Sequence, residues 1–128
     1  MNIEHIAIWV SDLDESIKFF VEFFDGNPGE KYLNNKSNFK SCFISFSCGA
    51  RLEIMQKPGL SGMANEKEQF FGYSHIAFSV GSKDKVDELT KRLRNKNYKI
   101  ISEPRFTGDG YYESCILDND NNRIEITI

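Results

Sequence analysis

From Ile3 to Val10 branched and aromatic residues alternate, with Ile6, Ile8 and Val10 falling on one face and His5, Ala7 and Trp9 on the other. The pattern predicts a strand. Asp12 followed by Glu15 has the form of a capping box, and Leu13, Ile17, Phe20, Val21 and Phe24 then recur at helical spacing. These five should form the buried face of a helix that the run Asp25-Gly26-Asn27-Pro28-Gly29 stops. A short extended piece from Lys31 to Leu33 follows, then strands from Phe39 to Ser47 and from Ala50 to Met55, joined at Cys48-Gly49. The order is β-α-β-β-β.

Past a polar stretch containing Pro58, Gly59 and Gly62, the same order begins again. Tyr73 to Val80 reads as a strand, and Ser82 caps a helix that turns Val86, Leu89 and Leu93 inward. Lys91, Arg92, Arg94 and Lys96 form a solvated face near its C-terminus, where the macrodipole favours positive charge. An extended piece (Lys99 to Ser102), a Gly-rich hairpin connection (Thr107 to Gly110) and strands from Tyr111 to Leu117 and Arg123 to Ile128 complete the copy. The likeness is local as well as general. Glu4-His5-Ile6-Ala7-Ile8-Trp9-Val10 aligns with Ser74-His75-Ile76-Ala77-Phe78-Ser79-Val80, and Arg51-Leu52-Glu53-Ile54 aligns with Arg123-Ile124-Glu125-Ile126. A period near 70 residues exceeds that of solenoid repeats and, with two copies, implies a pseudo-two-fold pair. The chain is therefore expected to be one α+β domain of 128 residues, with module one at 1–56, a linker at 57–72 and module two at 73–128.

Composition narrows the function classes. Hydrophobic residues at 40% and charged residues at 27% are those of a soluble globular protein. Sixteen basic and nineteen acidic residues, with no basic cluster, exclude an electrostatic footprint for nucleic acid or an anionic membrane. No apolar run approaches the roughly 20 residues of a membrane span, and the start Met-Asn-Ile-Glu-His lacks the basic and apolar regions of a secretion signal. Cys42, Cys48 and Cys115 form an odd set without C-x-x-C spacing, so they are read as reduced. A cytoplasmic protein is expected.

The chain has two histidines, and the duplication places both at equivalent strand positions. Each is followed, after 48 or 50 residues, by a glutamate in Arg-aliphatic-Glu-Ile. Alternation sets His5, Glu53, His75 and Glu125 away from the aliphatic rows that should meet the helices. The opposite sheet face can therefore bear two imidazoles and two carboxylates. Such a set suits one first-row divalent ion and leaves positions open for water or substrate, the arrangement of a catalytic rather than structural site. Ligand type leaves nickel, zinc, cobalt and manganese equally open. Either Glu125 or Glu53 is a candidate to move a proton next to a carbonyl.

The opening His-Ile-Ala-Ile-x-Val-x-Asp-Leu (His5 to Leu13) and the closing Asp-x-Asp-x-x-x-Ile-Glu (Asp118 to Glu125) resemble the vicinal oxygen chelate superfamily of glyoxalases, bleomycin-resistance proteins and extradiol dioxygenases. The resemblance implies a curved eight-stranded mixed sheet around a metal cavity, helices on the outer face. A His, Glu, His, Glu order is similar to glyoxalase I and maps onto His5, Glu53, His75 and Glu125. It implies a lyase acting on the hemithioacetal of methylglyoxal and a thiol, and a homodimer whose sites form within one chain or across two. Bacterial glyoxalase I carries a glutathione-binding arginine four residues after its first histidine; here that place is Trp9, which argues against glutathione. The usual Asp-Pro-Asp-Gly turn becomes Asp118-Asn119-Asp120-Asn121, with asparagine able to supply the left-handed conformation. Trp9, Arg51, Met55, Tyr111, Tyr112 and Arg123 are candidates to line a small-molecule substrate pocket. Competing readings within the same superfamily are a non-catalytic antibiotic-binding protein, an epimerase and a thiol transferase.

Overall fold

Asp12 begins the first helix as the sequence predicts: in a computed structural model of the chain, its carboxylate accepts the N–H groups of Asp14 (2.9 Å) and Glu15 (3.0 Å). The return half of the capping box is missing, because the Glu15 carboxylate pairs with Lys18 at 2.6 Å. The structure describes residues 1–60 and 71–128. Residues 61–70 of the expected linker lie outside the described residues.

The chain divides into two compact units, Met1–Gly62 and Met63–Ile128. The first contains β1 (His5–Trp9), α1 (Leu13–Phe24), β2 (Asn27–Pro28), β3 (Tyr32–Asn34), β4 (Phe39–Ser45) and β5 (Arg51–Gln56). Its sheet runs β1-β5-β4, and β2 and β3 pair in turn along the free edge of β4. The second contains β6 (Ile76–Ser79), α2 (Lys83–Asn95), β7 (Ile100–Phe106), β8 (Tyr112–Leu117) and β9 (Arg123–Thr127), in the order β6-β9-β8-β7. In each unit the first and last strands are parallel neighbours and the remaining pairs are antiparallel.

Among the described residues nine strands thus occupy eight strand places, with β2 and β3 sharing the position that β7 fills alone. Asn27 and Pro28, read from sequence as part of a helix stop, are strand because they pair with Ser45 and Ile44. The neighbouring Gly29 N–H donates to the Phe43 carbonyl at 2.8 Å, extending that contact. The fold is α+β, made of tandem βαβββ modules.

In each unit the aliphatic face of the sheet packs on its helix. Leu52, Ile54, Cys42 and Ile44 are buried in the first, and Ile116, Ile124 and Ile126 in the second. Helix α2 buries Val86, Leu89 and Leu93 as predicted, together with Thr90. Thr90 donates to the Val86 carbonyl at 2.6 Å and meets the Ser114 hydroxyl of β8 at 2.6 Å, so the buried polar pair is satisfied. Helix α1 departs from the predicted face. It buries Leu13, Ser16, Phe19, Phe20 and Phe23, while Val21 is exposed and Ile17 and Phe24 are half-buried. Five phenylalanine and valine positions between Phe19 and Phe24 fit two overlapping helical stripes, and the small Ser16 lets the helix settle on the one that inserts Phe19 and Phe23. Arg94, read as part of a solvated basic face, pairs with Glu103 of β7.

The three cysteines are free. Among the described residues no helix is long and apolar enough to cross a membrane.

The turn between β8 and β9 is organised by Asp118, which is buried. Its carboxylate accepts the N–H groups of Asp120 (2.9 Å) and Asn122 (2.8 Å) and the side-chain amide of Asn122 (2.9 Å). Asn121 adopts the left-handed conformation, φ 63°, in the place of the usual glycine. Burial pushes the Asp118 carboxyl above its ordinary value, although the hydrogen bonds from Asn122 and Asp120 pull it back. Replacing Asp118 with alanine orphans these donors and is expected to lower unfolding free energy by about 1–3 kcal/mol. Because the folded pKa is raised, the stability this group confers is full in acid and declines as pH climbs through the raised value. The deficit of Asp118→Ala should therefore shrink between about pH 4 and about pH 7, as measured by denaturant titrations at both.

Candidate metal centre

In the first unit the parallel register sets His5 beside Arg51 and Ala7 beside Glu53. Burial alternates along both strands, so Ile6, Ile8, Leu52 and Ile54 turn to the helix and His5, Trp9, Glu53 and Met55 share the open face. His5 Nε2 stands 3.9 Å from Glu53 Oε2, the imidazole 41% exposed and the carboxylate 17%. Phe43 of β4, opposite Glu53, presents its ring edge-on to His5 with centroids 5.3 Å apart. The other imidazole nitrogen, Nδ1, is hydrogen-bonded to the Glu4 carboxylate, which also pairs with Arg51. Trp9 packs edge-to-face on Phe39 and carries the Lys57 ammonium 4.7 Å from its ring centroid.

The second unit repeats the pair. His75 lies immediately before β6, one residue short of the predicted strand position, and its Nε2 is 3.0 Å from Glu125 Oε2. Glu125 has Ala77 as its parallel neighbour and Cys115 as its antiparallel one. Burial pushes the Glu125 carboxyl above the usual range; His75 pulls it back, and the charge of Glu113 adds to the rise. Among the described residues no three His, Cys, Asp or Glu side chains gather to hold an ion. Each unit carries one His–Glu pair.

The other expected site residues divide. Arg51, Met55 and Trp9 share the face of the His5–Glu53 pair, and Arg123 lies on the face of Glu125, beside the Cys115 thiol. Tyr111 is exposed in the hairpin connection, where its N–H donates to Thr107 Oγ1 at 2.9 Å. Tyr112 is a correction. It has the same strand parity as Ser114 and Ile116, is buried against α2, and donates its hydroxyl proton to Asp87 Oδ1 at 2.7 Å. A side chain committed to the helix side cannot line the opposite face. Sequence reasoning missed Glu4 and Phe43. Phe43 was accessible through alternation along β4, since it faces away from the buried Cys42 and Ile44; Glu4 carried no signal beyond standing next to His5.

Two βαβββ modules, each with a His–Glu pair on the open face of its sheet, make up the chain. The family model described as Glyoxalase/Bleomycin resistance protein/Dioxygenase superfamily matches residues 2–126, and the chain belongs to this superfamily. Its members typically bind a divalent metal ion. Two curated relatives are similar over nearly the full length. The uncharacterized protein YqjT of Bacillus subtilis is 28% identical over 128 residues, covering 95% of this chain and 94% of the relative. The fosfomycin resistance protein FosX of Listeria innocua is 29% identical over 126 residues, covering 98% and 87%. Glyoxalase I from Zea mays shares the fold, with a TM-score of 0.79 at 21% identity over 98% of this chain, which spans 44% of the maize chain.

The donor chemistry fits a divalent ion. Nitrogen and oxygen ligands about 2.1 Å from a metal stand roughly 3.0 Å apart when at right angles and farther at wider angles. The 3.0 Å and 3.9 Å pairs fall in that range.

Proposed function

We propose that this protein is a glyoxalase I-like metalloenzyme that isomerises the hemithioacetal of methylglyoxal, or of a related small carbonyl compound, with a thiol. The observation that carries the reading is the duplicated His–Glu pair: His5 with Glu53 and His75 with Glu125 lie on matching faces of two matching sheets. His5, Glu53, His75 and Glu125 would hold one ion of nickel, zinc, cobalt or manganese, within one chain or between the two chains of a homodimer. When bound, the ion supplies Lewis-acid polarisation of the substrate carbonyl. Glu125 or Glu53 would move the proton, taking it from one carbon and returning it to its neighbour. Trp9, Met55 and Phe43 offer an apolar surface on the same face as Glu53, against which the carbon skeleton of a small substrate could lie. Trp9 supplies no charge for a glutathione carboxylate, so a different thiol is the expected cosubstrate.

The test is thioester formation from methylglyoxal with a panel of thiols, in protein stripped of metal and reloaded with each ion in turn. Activity that appears only in metal-loaded protein supports the reading. Loaded protein that is inert with every thiol overturns it. The similarity to FosX favours a second reading, a fosfomycin-resistance activity, which consumption of that drug by the same preparations would reveal.

A further inference from the structure

On the open face of the first unit, three side chains close a ring of contacts with one imidazole. The Glu4 carboxylate touches His5 Nδ1 through one oxygen and the Arg51 guanidinium through the other. Arg51 in turn lies over the Phe43 ring, 4.3 Å from its centroid, and Phe43 meets the edge of His5. The backbone holds the same arrangement, since the Arg51 N–H donates to the Glu4 carbonyl at 3.0 Å. Glu4 is therefore tied to β5 at both backbone and side chain, although it precedes β1.

An ionised carboxylate only accepts hydrogen bonds, so the proton between Glu4 and His5 belongs to Nδ1. In the neutral ring that choice leaves the lone pair on Nε2, the nitrogen facing Glu53. We propose that Glu4 is a positioning residue that fixes the His5 tautomer and ring orientation for metal binding, with Arg51 serving to hold Glu4 rather than to bind substrate. This role rests on the proposed metal site. Carboxylates hydrogen-bonded to the far nitrogen of a ligating histidine orient the ring and raise its basicity. At the place equivalent to Glu4 the second unit carries Ser74, so the clamp is not repeated there in sequence, and His75 stands closer to Glu125 than His5 does to Glu53.

Two-bond proton–nitrogen correlation spectra of metal-free protein labelled with ¹⁵N-histidine read the tautomers directly. Wild type is expected to show His5 protonated at Nδ1, and Glu4→Ala to move His5 toward the Nε2-protonated form while His75 stays unchanged. Titration with cobalt(II) should show a loss of about 10–100-fold in affinity for Glu4→Ala. Glu4→Gln keeps an acceptor oxygen and should fall between the two. An unchanged His5 tautomer in Glu4→Ala, or cobalt affinity equal to wild type, overturns the assignment. Wild-type protein that takes up no cobalt overturns the metal reading instead, and the tautomer comparison still decides whether Glu4 governs His5.

Discussion

A protein carrying Glu53→Gln and Glu125→Gln together is expected to lose divalent-ion binding, by more than about 100-fold for each position. Glutamine preserves size and an acceptor oxygen, so the fold should survive; what disappears is the negative charge that favours a divalent cation over water. Both carboxylates are less than a quarter exposed, which makes their charge worth more than at a solvated surface. Elemental analysis of the purified double variant beside wild type, with circular dichroism to verify folding, decides the matter. Full metal retention in a folded double variant would remove Glu53 and Glu125 from the ligand set. The single variants carry further information: a Glu125→Gln protein that keeps its ion but loses proton exchange next to a carbonyl would separate base from ligand.

The second large effect concerns stability. Ile54 and Ile126 are completely buried and directly follow Glu53 and Glu125 in sequence. Each points to the helix side, and each is expected to cost about 2–5 kcal/mol when cut to alanine, the sum of lost transfer energy and the cavity left behind. Against a total of about 5–15 kcal/mol for a domain, either change approaches global unfolding. Urea titrations should show a lower midpoint with an unchanged slope. A loss below about 0.5 kcal/mol would mean that the sheet shifts to fill the space. The same carboxylates would then no longer be held at fixed depth, and the proposed metal binding would weaken although stability held.

Much of this organisation is legible in the chain because it rests on short-range periodicity and internal repetition. The alternation of Ile6 and Ile8 with His5 and Ala7, repeated at Ile76 and Phe78, is enough to put both histidines away from the helices. The β8–β9 turn follows from asparagine's tolerance of positive φ, and Asn121 adopts it. What escaped reading depends on contacts between distant segments. Strand β2 exists because β4 offers a free edge at Ser45, a fact absent from Asn27 and Pro28 themselves. Tyr112 is bulky and polar at its tip, so composition alone makes it as suitable for a pocket as for a helix contact. Its parity with Ser114 and the presence of Asp87 on α2 settle its direction. The rotation of α1 shows the same limit, since a phenylalanine-rich segment offers more apolar positions than one helical face can bury.

The parallel pairing of the first and last strands in each unit bears on how the chain acquires its chemistry. His5 and Glu53 are brought together across 48 positions, and His75 and Glu125 across 50, by the contact that joins the two ends of each module. Contacts of that span wait for the chain between them to be ordered, because loop-closure entropy must be overcome first. A module still emerging from synthesis, or cut short before its last strand, carries its histidine without the glutamate that pairs with it. Donor pairing therefore coincides with completion of each module: the His5–Glu53 pair cannot form before β5 is made, nor the His75–Glu125 pair before β9.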